Sequence, residues 1–153
     1  MAQTLTRYPA FMQSPPRWFK PLCVVLLIWN LLGCMAYMSD VTLKPEDVAK
    51  MSPDMQAMYA ARPMWAVAAF ATAVWGGALG SLLLLLRRRA ALPVLVASVV
   101  GLVFQNFGLF VLAGAGRVNP AAYVVQGLVF AIAVGLVVLA RRAAAQGWLR
   151  EAA

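Results

Sequence analysis

The side chains able to do chemistry are few and lie far apart. The five carboxylates are Asp40, Glu46, Asp47, Asp54 and Glu151, and four of them fall within residues 40–54. The 153-residue chain contains no histidine, which removes the usual proton shuttle and the commonest metal ligand. Cys23 and Cys34 are the only cysteines, too few for a disulfide framework. No phosphate-binding loop, dinucleotide glycine fingerprint, histidine-based triad or metal-ligand spacing occurs. The sequence therefore assigns no catalytic residue and no cofactor, and the chain reads as a non-enzyme. Met51, Met55 and Met58 fall at i, i+4 and i+7, one face of a helix. Thioethers are soft ligands for Cu(I), and Cys34 would add a thiolate. The plainer reading is that methionine fills the apolar underside of a surface helix.

A second chemical set is polar but uncharged. Asn30, Thr72, Gln105, Asn106 and Gln126 each interrupt a long apolar stretch, and Trp29 and Trp75 lie beside them in sequence. Amides next to aromatic faces suit a neutral polar ligand such as a sugar or a quinone headgroup. The alternative is that amides hydrogen-bond between helices and only hold them together. Which of these applies depends on the elements that carry them.

Those elements are delimited by gaps between charged residues. Lys20 to Asp40 leaves 19 uncharged positions, Arg62 to Arg87 leaves 24, Arg89 to Arg117 leaves 27, and Arg117 to Arg141 leaves 23. About 20 apolar residues in a helix cross the hydrocarbon of a bilayer. Residues 63% apolar and only 12% charged, with a mean hydropathy of +0.79, belong to the membrane class. The runs lack the alternation of a barrel strand, and an unpaired backbone is not tolerated in lipid, so each run is a helix. The expected organisation is a tail over 1–18, a first span over 19–39, a loop over 40–62 and a second span over 63–86. A turn at 87–90, a third span over 91–114, a turn at 115–120, a fourth span over 121–141 and a tail over 142–153 complete it. The fold class is thus all-α: four transmembrane helices in an up-down bundle, with one or two short interfacial helices in the first loop.

Nine basic residues (Arg7, Arg17, Lys20, Arg87, Arg88, Arg89, Arg141, Arg142 and Arg150) fall on one side of this arrangement. Lys44, Lys50, Arg62 and Arg117 fall on the other. This imbalance puts both termini in the cytoplasm. The net charge of +8 then reflects topology and attraction to anionic lipid, and nucleic acid is not an expected partner. In the loop, Lys44-Pro45-Glu46-Asp47 and Ser52-Pro53-Asp54 are two helix starts, each with proline in the first turn and acids after it.

Given these spans, Asn30, Thr72, Gln105, Asn106 and Gln126 lie at comparable depth, and with Trp29 and Trp75 they form one expected polar, aromatic-walled layer. Small residues mark the packing faces: Ala69, Ala73, Gly77 and Ser81 with Gly76 and Gly80 in the second span, Ala97, Gly101 and Gly108 in the third, Gly127, Ala131 and Gly135 in the fourth. Such ridges let helices approach closely, within one chain or between copies. The only charges within these spans, Lys20 and Arg141, stand at their ends, so proton coupling through a buried carboxylate is not expected. Leu31-Leu32-Gly33-Cys34 resembles a lipobox, but the apolar run continues past Cys34 through Met35 and Tyr37, as a full span does.

Leu27-Ile28-Trp29-Asn30-Leu31-Leu32-Gly33, Arg62-Pro63-Met64-Trp65, Ala73-Val74-Trp75-Gly76-Gly77-Ala78-Leu79-Gly80-Ser81 and Gly147-Trp148-Leu149-Arg150 together resemble a family of small four-span bacterial inner-membrane proteins. The likeness runs over most of the chain from about residue 18. Members often carry a sugar-transporter label. The resemblance implies four spans and a bacterial inner membrane, and carries over no catalytic residues. Two functions are expected. One is a non-catalytic accessory or assembly component, packing through its glycine faces against itself or a larger membrane complex. The other is an oligomeric transporter of a small neutral solute.

Overall fold

A computed structural model of the chain describes residues 14–150. Arg7, Glu151 and the outermost parts of the two expected tails lie outside the described residues. The fold is an all-α bundle whose four long helices are each apolar enough to cross a membrane. They are α1 (Phe19–Val41), α4 (Met64–Leu85), α5 (Ala91–Asn106, extended by a π-helical segment, Phe107–Leu112) and α7 (Ala121–Ala145). Three short helices join them: α2 (Pro45–Ala49), α3 (Pro53–Ala61) and α6 (Ala115–Val118). Pro21 and Pro93 fall in the first turns of α1 and α5, where a missing N–H costs no helical bond.

The connecting segments follow local chemistry. In α3, the Ser52 hydroxyl accepts from the Met55 N–H and Pro53 opens the first turn, so the chain restarts as a helix there. This restart corrects the expected methionine face: Met51 lies in the turn between α2 and α3, not on a helix continuous with Met55 and Met58. The expected turn over 115–120 contains α6, which follows Gly114 in a left-handed conformation (φ 67°). The α4–α5 turn ends α4 with paired bonds, Arg88 N–H to Leu83 O and Arg87 N–H to Leu84 O, around Arg87 at φ 59°. Glycine usually fills that position. Here the Arg87 Nε donates to Trp148 O at 2.7 Å, tying the strained turn to the C-terminal tail.

Helices α4 and α5 form the centre of the bundle. One third of the most apolar window of each is buried, against 11% in α1 and 6% in α7. Lipid chains are as apolar as leucine, so close van der Waals packing, not burial from water, selects these contacts. Gly101 of α5 sits against the α4 backbone, where an added Cβ would stand 2.9 Å from Ala69 O. Gly76 faces Ser98, Gly80 faces Leu95 and Gly108 faces Ala66 across the same seam. Ser98 Oγ donates to Ala73 O at 2.6 Å. Helix α1 packs on α4 where Gly77 leaves room for the Asn30 amide, and Cys34 Sγ donates to Val74 O at 3.4 Å. The ridge on α7 behaves differently. Gly127, Ala131 and Gly135 are exposed, and nothing stands within 4 Å of a Cβ built on either glycine.

At the end carrying Arg87, Arg88 and Arg89, the arginine end, Gly147 turns the chain back after α7 (φ 69°). Trp148 and Leu149 then dock beneath the bundle with Phe19, Cys23, Leu84, Leu95, Leu136 and Ala140. Arg150 N–H to Arg87 O at 2.6 Å and Arg89 N–H to Arg150 O at 3.0 Å hold the tail there. Near this end the tail after α7 meets the start of α1, with Trp148 edge-on to Trp18 and Phe19 (ring centroids 6.1 and 5.5 Å apart). A groove runs between α1 and α7.

Candidate functional site

The groove deepens mid-bundle into a cleft of about 300 Å³ bounded by all four long helices. Trp29 and Asn30 of α1, Phe70 of α4, Ser98 and Gln105 of α5, and Gln126 of α7 supply its polar and aromatic lining. The remainder is aliphatic, as is usual for a pocket that receives an apolar body and orients it through a few polar groups.

The sequence-predicted layer divides into four parts. Asn30 is structural: its Nδ2 donates to Leu26 O at 2.8 Å and to Ser81 Oγ at 3.1 Å, joining α1 to α4. Gln105 and Gln126 face the cleft. Seven residues separate Gln105 from Ser98, a rise of about 10 Å, so Gln105 lies well toward the loop end from the Asn30–Ser98 level. Thr72 bonds its own helix at Ala68 O and borders a shallow lipid-facing depression, and Trp75 is 51% exposed on the outside of the bundle. Asn106 borders neither the cleft nor its mouth, and its Oδ1 is enclosed without a hydrogen bond. A single layer of seven residues is therefore corrected to a cleft wall of Trp29, Asn30, Gln105 and Gln126. The physical reason is the seam between α4 and α5: Thr72 shares the stripe of Gly76 and Gly80 and lies against Gly101 in that seam, bordering the depression outside the cleft, and Trp75 points to the outer surface.

Gln105 is the residue of greatest consequence in this wall. It is 5% exposed, and its Oε1 is enclosed without a hydrogen-bond partner. A buried amide oxygen left unpaired costs about 1–3 kcal/mol. The two ends of the amide exchange by rotation about one bond, so a hydroxyl, donor and acceptor together, satisfies it in either setting.

The mouth of the cleft at the loop end is polar, and the sequence reading had not singled it out. Asp40 ends α1 and Arg62 ends α3. Arg62 Nη1 stands 2.8 Å from Asp40 Oδ2, off the hydrogen-bond line but well within ion-pair range, with both side chains 16% exposed. Tyr59 donates its phenol to Asp40 Oδ1 at 3.1 Å, and its ring lies 5.0 Å from the Arg62 guanidinium. Burial pushes the Tyr59 phenol above its ordinary range. The charge of Asp40 and the hydrogen bond to it act in the same direction, and Arg62 draws it partly back. Together with Met58, Phe70, Gln105 and Gln126 these groups line a smaller space of about 170 Å³. Its shared residues, Phe70, Gln105 and Gln126, make it continuous with the cleft. The available signal was that Asp40 and Arg62 are the charges immediately flanking the ends of the first loop.

Among the described residues no group of three or more acids and cysteines is placed to hold a metal ion. Met55 and Met58 lie on α3, with Met58 at the mouth of the cleft. Cys34 instead points its thiol at Val74 O of α4. The arrangement can hold a small neutral molecule through amide and hydroxyl hydrogen bonds, beside the Trp29 ring and beneath an ion-paired cap. No family model, curated protein or solved structure matches the chain, so the cleft is interpreted on its own geometry.

Proposed function

We propose that the chain is a non-catalytic protein of a bacterial inner membrane, with both ends cytoplasmic, that binds a small neutral hydroxyl-bearing molecule in its α1–α7 cleft. The orphaned Gln105 amide oxygen in a mostly apolar pocket carries this reading. The orientation is supported by the nine-to-four imbalance of basic residues between the two sides. A sugar-like ligand fits the hydroxyl requirement, and no side chain in the cleft offers acid–base or nucleophilic chemistry. The absence of charge from the middle of the spans supports binding or facilitated movement over proton-driven pumping.

A second, compatible reading is assembly: the exposed Gly127, Ala131 and Gly135 ridge of α7 suits a helix of another copy or of a larger membrane complex.

The test is a titration of the protein in lipid nanodiscs with glucose, galactose and inositol, following tryptophan fluorescence. A saturable change that disappears in Trp29→Phe and in Gln105→Leu supports the reading. If no sugar moves the signal and Gln105→Leu unfolds later than the parent, the amide is a structural defect and the proposal fails.

A further inference from the structure

Toward the arginine end the groove between α1 and α7 opens into a second space, of about 460 Å³, distinct from the cleft in its chemistry. Its walls are Leu22 and Leu26 of α1 and Ile132, Gly135 and Leu139 of α7. Its mouth is polar and basic: Arg142 and Gln146 at the end of α7 line it together with the indoles of Trp18 and Trp148. Indoles at the end of an apolar slot mark the depth of lipid headgroups. An apolar slot that ends at a guanidinium, an amide and two indoles has the polarity profile of a phospholipid.

The charge around the mouth selects among phospholipids. Arg141 and Arg142 sit at this end of α7, and Arg17 and Lys20 lie near Trp18 at the start of α1. All four carboxylates among the described residues (Asp40, Glu46, Asp47 and Asp54) belong to the loop end of the molecule. No described acid is therefore at hand to neutralise Arg142, whereas the cations of the loop end include Arg62, paired with Asp40, and Lys50, paired with Asp47. A guanidinium matches a phosphate bidentately, and each basic residue near an anionic headgroup contributes about five-fold in affinity.

The slot also has room built into its wall. Gly135 lines it, and a Cβ placed there meets nothing within 4 Å. A larger side chain in the fourth helix at this position would fill the space that an acyl chain takes.

We infer that the arginine-end groove is a seat for one anionic phospholipid, its acyl chain between α1 and α7 and its phosphate on Arg142 and Gln146. This is independent of the sugar-binding reading, because neither Gln105 nor Gln126 takes part in it.

The experiment uses the full chain in nanodiscs of equal phosphatidylglycerol and phosphatidylcholine, released into native mass spectrometry so that retained lipids are counted and identified. The parent protein is expected to keep one phosphatidylglycerol in preference to phosphatidylcholine. Arg142→Gln should lower that preference about five-fold, whereas Arg88→Gln, in the α4–α5 turn away from the groove, should leave it unchanged. Gly135→Phe should abolish retention of either lipid while circular dichroism stays that of the parent. Equal losses in Arg88→Gln and Arg142→Gln would mean diffuse attraction to a basic surface and overturn the seat. So would retention unchanged by Gly135→Phe. A dimer that Gly135→Phe converts to monomer with lipid counts unaltered would give the groove to a second copy of the chain, and equally refute it.

Discussion

Replacing Gly101 with alanine puts a methyl group into the closest approach of α4 and α5. The new Cβ would stand 2.9 Å from Ala69 O, 3.0 Å from Ala73 N and 3.1 Å from Thr72 Cβ. Comfortable heavy-atom contacts begin near 3.5 Å, so the helices must part by about half an ångström. Two of the three obstacles are backbone atoms, which cannot rotate aside. Overpacking of this kind costs about 1–3 kcal/mol. Alanine recovers about 0.5–1 kcal/mol of helix propensity over glycine, leaving a net loss of about 1–2 kcal/mol. The same substitution at Gly135 meets nothing within 4 Å and retains only the propensity gain. Reversible unfolding in mixed micelles of rising dodecyl sulfate fraction, followed by helical circular dichroism, measures both variants against the parent. The packing argument is refuted if Gly101→Ala unfolds together with the parent, or if Gly135→Ala loses as much as Gly101→Ala.

The Asp40–Arg62 pair is about five-sixths buried, between the surface and interior regimes. A double-mutant cycle of Asp40→Asn and Arg62→Gln should return a coupling of about 1–3 kcal/mol by the same unfolding assay. A coupling near zero would make the loop's attachment independent of charge. Because the Tyr59 phenol is raised above its ordinary value, its neutral form is the one the fold favours. Its contribution is therefore present below about pH 10 and lost as pH climbs through the higher folded value. Tyr59→Phe should unfold earlier than the parent at neutral pH, and the two should converge in strong alkali; parallel pH profiles would contradict the hydrogen bond to Asp40.

Much of the bundle was legible from charge alone, because lipid tolerates neither a stray charge nor an unpaired backbone, and Lys20, Asp40, Arg62 and Arg87 therefore mark where helices leave the hydrocarbon. The ends are softer. Helix α7, expected over 121–141, continues to Ala145, since Arg141 and Arg142 lie on helical backbone and long cationic side chains can reach the headgroups from there. The π-helical segment Phe107–Leu112 left no trace in the sequence, because bonds of wider reach, such as Gly108 O to Ala113 N–H at its end, alter no residue pattern. Small-residue spacing identified Gly76, Gly80 and Gly101 as packing positions but also flagged Gly127 and Gly135, which face no other part of this chain. Spacing reports that a face is smooth, not what lies on it. The cleft was half legible: amide type and depth pointed to Asn30 and Gln105 alike, yet only a partner 51 residues away, Ser81, makes the first a structural bond, while the second is left unpaired. The Asp40–Arg62 cap depends on a 22-residue return of the chain, which no local pattern encodes.

The core at the arginine end also sets an order of events during synthesis. It joins Phe19, at the start of the first helix, to Trp148 and Leu149, which leave the ribosome some 130 residues later. Helices α4 and α5, linked by a short turn and packed along their length, can pair as soon as both have entered the bilayer. The α1 end of the core cannot close until the tail has been translated and has folded back beneath Arg87. Until then the chain is a paired hairpin with one loosely attached helix, and the residues after α7 complete a contact that the first helix has been awaiting since its insertion.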